Sequence, residues 1–313
     1  MSRTTKLLGT VSILATLAAS PAAAQVTGFA GFVDLSYAHS SQDNDNDFFG
    51  NTDTIGRNAF TVGAGIAFPV DEIGGLAWQL DGNYSSQTGD DVTLCLDPSD
   101  LDTCFESGSS RIVWNFGGSF FLAYAGSRTG ININYETMTD FGSMTNGGLF
   151  TEWYLGNFTV AAKGGWLWSG GTPSGGRGNY LGANVAGYFG PNFAVGGSVT
   201  WADLISGSTF QGGGIIPPTC FGPTCGRRDF TETNFTIDAE FLVSATFPLS
   251  VFGGYTFTDF KQGENISNPF LVNEMDTNAN TVFIGVRYYM GGMGSLMELH
   301  RTGNVRPWLR GAN

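Results

Sequence analysis

Apolar and polar residues alternate with a period of two along most of the chain. Val33, Leu35 and Tyr37 are set against Phe32, Asp34 and Ser36, and Phe60, Val62, Ala64, Ile66 and Phe68 against Thr61, Gly63, Gly65 and Ala67. A strand sends successive side chains to opposite faces, so this pattern predicts strands with one apolar and one polar face. The repeat returns at about 76–86, 110–125, 131–139, 149–155, 158–168, 179–189, 193–204, 230–247, 250–260 and 279–290, giving twelve predicted strands.

The connections between these strands alternate in length. Long segments at 40–57, 87–109, 139–148, 169–178, 205–229 and 261–278 are interleaved with short turns at 70–75, 125–130, 156–157, 190–192 and 248–249. An even-stranded, up-and-down antiparallel sheet sorts its connections by parity when its two ends face different environments. A soluble sandwich has no reason to do so.

Aromatic placement separates a membrane barrel from a soluble one. Tyr37, Tyr84, Trp114, Trp153, Trp166, Trp168, Trp201 and Phe257 are expected near the long loops, and Phe29, Trp78, Tyr124, Phe158, Phe193, Phe247 and Tyr288 near the short turns. Two such bands match the aromatic girdles that form at the two headgroup layers of a bilayer. Composition agrees: charged residues are 13 %, about half the usual share for a soluble protein, and 47 residues are Gly. The other strand face is rich in Gly, Ala, Ser, Thr, Asn and Gln, unlike the apolar filling of a soluble barrel.

The N-terminal segment 1–24 reads as a secretory signal peptide: Arg3 and Lys6 in a basic start, an apolar run from Leu7 to Ala19, and Ala22-Ala23-Ala24 before Gln25. Its loss moves the net charge from −13 to −15 by removing Arg3 and Lys6, which argues against nucleic acid as a partner. The four cysteines fall as two local pairs, Cys95 with Cys104 and Cys220 with Cys225, and suit short disulfides in an oxidising compartment. Their spacing is not that of a zinc site. The run Asp43 to Asp47 imitates a calcium loop, but Phe48 stands where Gly is needed and Thr54 where the bidentate Glu belongs. No metal or cofactor is expected.

In these features the chain resembles the Gram-negative outer-membrane β-barrel proteins, in the broad porin-like sense. The resemblance implies an all-β fold, a transmembrane antiparallel up-and-down β-barrel of about 12 strands over 25–290. It also implies contact with outer-membrane lipid and surface glycolipid, insertion by the barrel-assembly machinery, and passive diffusion of small hydrophilic solutes. Many members end on the last strand with a terminal aromatic; here Tyr288 and Tyr289 are followed by Gly291 to Asn313.

The alternation places Asp34, Asp81, Glu136, Glu152, Asp238 and Glu240 on the inner face with Arg111, Lys163 and Arg287. An excess of carboxylates in a confined path lowers the energy of a cation, so a weak cation preference is expected. Paired across the lumen, the same charges form a latch that closes it. Inner glycines at 63, 65, 117, 165, 182, 196, 254 and 285 are expected to leave room for a pore.

Two other classes compete. An adhesive or structural barrel displays its loops, and these carry about −10 in total, with six acidic residues and no base in 87–109. A surface hydrolase needs a histidine site, but only His39 and His300 exist, and Ser40 beside His39 points to the opposite face. The basic periplasmic tail 291–313, with Arg301, Arg306 and Arg310 against Glu298, is expected to dock on the acidic mouth, enter the lumen, or hang free. The sequence indicates no oligomeric state.

Overall fold

The computed structural model describes residues 29–46, 51–70, 75–89, 92–95, 104–107, 110–124, 126–138, 142–170, 176–206, 228–244, 247–262, 275–291 and 294–301. The leader 1–24, Cys220, Cys225 and the end of the tail lie outside these residues.

Twelve strands close into one antiparallel barrel. They are β1 (Ala30–Asn46), β2 (Asn51–Pro69), β3 (Leu76–Gly89), β6 (Arg111–Tyr124), β7 (Ser127–Met138), β8 (Gly142–Leu155), β9 (Phe158–Gly170), β10 (Gly176–Phe189), β11 (Phe193–Ser206), β12 (Arg228–Ser244), β13 (Leu249–Gln262) and β14 (Met275–Met290). The connection between β3 and β6 carries a separate hairpin of β4 (Val92–Cys95) and β5 (Cys104–Ser107). Among the described residues one helix, α1 (Leu296–Arg301), follows β14. Closure pairs β1 with β14 from Gly31 opposite Met290 to Asn46 opposite Met275.

The expected strand count holds, and two boundaries move. The first long loop is largely strand, because β1 and β2 stay paired out to Asn46 and Asn51. The connection 139–148 likewise shrinks, since β8 begins at Gly142 and pairs with β7 from Met138 onward. This shift corrects the place of Trp153, which lies opposite Ser127 at the short-turn end.

The polarity of the faces is reversed relative to a soluble barrel. Ile131, Ile133, Leu149, Leu181, Ile237, Val282 and Ile284 project outward, each more than half exposed. The buried polar set, including Asp34, Asn115, Asn134, Asn146, Glu152, Lys163 and Arg287, points inward. An outer apolar band has a favourable partner only in lipid. Phe158 and Trp168 mark the two edges of that band on β9, ten residues apart. At the usual rise and tilt that is about 25 Å, a bilayer core's thickness for a barrel.

Candidate functional site

Of the nine charged residues assigned to the lumen, Asp34, Glu136, Glu152, Lys163, Glu240 and Arg287 are buried, and Asp81, Arg111 and Asp238 are half-buried. Asp34 on β1 and Arg287 on β14 are register partners, and Arg287 Nε and Nη2 donate to Asp34 Oδ2 at 3.1 and 3.0 Å. Its Nη1 reaches past β13 to Glu240 Oε2 on β12 at 3.1 Å. Glu240 also accepts from Ser250 Oγ and, at 2.6 Å, from the Tyr289 hydroxyl. The guanidinium stacks over Phe252 at 4.5 Å. A second buried pair joins β7 to β8: Arg128 donates to Glu152 Oε2 at 2.6 Å, and Tyr154 donates to the same oxygen at 3.1 Å. These pairs run side to side along the wall, not across the lumen.

The remaining charges sit farther from the short-turn end. Glu136 accepts from Asn115 Nδ2 at 3.2 Å and lies within electrostatic reach of Glu232 on the other side of the barrel. Glu232 in turn accepts from Asn234. Lys163 is buried with its ammonium 5.8 Å from the Tyr180 ring centroid. Asp81 and Asp238 are half-buried, and Arg111 stands at the outer end of β6. Arg128 escaped the sequence reading because it was placed in a turn over 125–130, whereas β7 starts at Ser127. Glu232 escaped because its stretch of β12 has no clean alternation.

The space beside several of the inner glycines is taken up by neighbouring groups. A Cβ at Gly63 would sit 2.1 Å from Asp34 Oδ1, at Gly117 2.0 Å from Asn134 Oδ1, and at Gly285 2.5 Å from Phe252 Cζ. At Gly63, Gly117 and Gly285 a larger side chain of a neighbouring strand lies where a Cβ would stand, whereas at Gly165 the backbone of Gly147 and Gly148 does.

The tail supplies the second half of the site. Gly291 has φ +80°, and a Cβ there would meet the Phe29 carbonyl at 1.8 Å, so the chain leaves β14 through a turn only Gly can make without strain. Ser295 and Glu298 then start α1 with a capping box. Glu298 Oε2 accepts from the Ser295 amide at 2.8 Å, and Ser295 Oγ accepts from the Glu298 amide at 3.3 Å. Leu296 and Leu299 insert into a buried cluster of Phe32, Ala186, Tyr188, Ala194, Leu242 and Tyr289. The Leu296 amide donates to the Pro191 carbonyl at 2.7 Å.

Two polar side chains complete the docking. His300 lies between barrel groups, with Nε2 2.8 Å from the Tyr289 hydroxyl and 3.2 Å from Glu240, and Nδ1 3.2 Å from the Tyr188 hydroxyl. Arg301 donates to the carbonyls of Gly156 and Phe158 at 2.8 Å each and to Thr159 Oγ1 at 3.3 Å. Its guanidinium carbon is 4.9 Å from the Tyr154 ring centroid and 5.4 Å from that of Tyr188. Burial lowers the Arg301 pKa, against the electrostatic support of Tyr188, Tyr154 and Glu152. The described part of the tail, α1, is thus seated at the short-turn end, against turn carbonyls and buried wall residues alike.

The other candidates separate. His39 accompanies the Tyr37 hydroxyl on Asn58 Oδ1, at 2.9 and 2.6 Å, on the outer surface. Cys95 and Cys104 are cross-strand partners in the β4–β5 hairpin.

No family model matches the sequence, and no curated protein does. Solved structures share the fold at low identity. An outer membrane channel from Pseudomonas putida F1 is 12 % identical, with 84 % of this chain and 96 % of that one covered, at a TM-score of 0.49. The KdgM porin is 7 % identical over 80 % and 98 %, at 0.40. The outer membrane protease OmpT from Escherichia coli is 11 % identical over 88 % and 99 %, at 0.34. The closed ladder, the outward apolar band and the polar interior make this chain a membrane-spanning antiparallel β-barrel in fold.

Proposed function

We propose that the protein is a narrow, weakly cation-preferring channel for passive diffusion of small hydrophilic solutes, and that α1 stops its short-turn mouth in the state described. The observation that carries this reading is the ionisable lumen, in which Glu136 and Glu232 are held by asparagine amides and not by arginines. A passage whose carboxylates are only partly compensated favours cations. Export by the leader 1–24, a periplasmic short-turn end and the absence of catalysis belong to the same reading.

The test is single-channel recording in planar bilayers. The intact chain should show small or rare openings, and deletion of 292–313 should raise conductance several-fold, with a reversal potential on the cation side in a salt gradient. An anion-selective reversal potential overturns the preference. A second reading, a non-conducting barrel displaying acidic loops, is favoured by the burial of the wall charges. A silent deletion variant decides for it.

A further inference from the structure

The groups that hold α1 define a receptor, and the helix shows what fits it. Two buried clusters flank the docked end, and in them the carboxylates of Asp34, Glu240 and Glu152 stand against only two guanidiniums, Arg287 and Arg128. Arg301 brings one further positive charge. It is received as free cations are received in proteins: planar N–H donors on two backbone carbonyls and a hydroxyl, with tyrosine faces on the guanidinium. The accepting groups belong to the β8–β9 turn and to strand residues of the closed barrel, and none of them is supplied by α1 itself.

We infer that the short-turn mouth is a binding site for a solute bearing a guanidinium or primary ammonium group, and that α1 occupies it as an internal stand-in which such a solute displaces. This rests on the channel reading and names its solute class and its control. A ligand that binds the barrel only when α1 is out shifts the equilibrium toward the undocked state by mass action.

The experiment uses the full chain in lipid, with hydrogen–deuterium exchange of 294–301 read beside conductance. Arginine and agmatine at tens of millimolar should speed exchange of α1 by about tenfold and raise open probability, whereas glucose and glutamate at equal concentration should change neither. Arg301→Gln should exchange fast without ligand and lose the response, and Arg301→Lys should restore it. Tyr154→Leu, on the receptor side, should weaken the response to arginine. Unchanged exchange in arginine, or an equal response to glucose, overturns the inference even if the 292–313 deletion conducts. Arginine-specific release of α1 with a silent deletion variant upholds the receptor and overturns the channel reading alone.

Discussion

Arg287 is the residue on which the inner wall depends most. It compensates Asp34 and Glu240 together, and both carboxylates are buried. Removing one member of a buried ionic network costs about 3–5 kcal/mol because the remaining charge has no partner. Arg287→Met should therefore lower stability by about that amount in urea unfolding from vesicles, and adding Asp34→Asn with Glu240→Gln should recover most of the loss. Gly291 sets a different constraint, one of backbone geometry. With φ at +80° and the Phe29 carbonyl against the Cβ position, Gly291→Ala should loosen α1 while leaving the barrel's heat-resistant migration on gels intact. Period two made much of the inner face legible: Asp34, Glu136, Glu152, Lys163, Glu240 and Arg287, assigned to it from alternation, are all buried. What alternation cannot tell is how a long side chain lies once inside. Gly63 and Gly117 read as vacancy, but Asp34 and Asn134 fill the space they leave.

At the level of elements, alternation reports a strand only where its two faces meet different surroundings. The paired stretch Ser40–Asn46 with Asn51–Arg57 lies beyond the girdle residue Tyr37, with polar residues on both faces, so it carried no signal and read as loop. Beta8 lost its first half in the same way, through the Gly- and Asn-containing run 142–148. Helix α1 was hidden for another reason: six residues give too few turns for a 3.6-residue period. Its one local signature is the capping box Ser295-Leu296-Met297-Glu298. Ser295→Ala should weaken the helix by about 1 kcal/mol and raise open probability in bilayers more than an equivalent change in an outer loop. The β4–β5 hairpin sets Cys95 opposite Cys104, and we expect a disulfide there. Non-reducing mass spectrometry should find it as a linked peptide, and Cys95→Ser should alter the hairpin without changing barrel stability.

At the scale of the whole molecule, the outer surface follows from lipid as solvent. Ile133 lies near the middle of the apolar band and is 60 % exposed. Ile133→Arg should destabilise insertion by about 2–4 kcal/mol, measured by folding into vesicles, whereas the same change near Trp168 should cost about 0–1 kcal/mol. The pocket that receives Leu296 and Leu299 is drawn from β1, β10, β11, β12 and β14, strands from both ends of the chain. Those walls stand together only after β1 has met β14. A complete pocket for α1 therefore requires the closed seam, which ties the burial of Leu296 and Leu299 to closure of the barrel. A barrel whose seam is open lacks the joined walls of β1 and β14 and leaves Leu296 and Leu299 without their full cover.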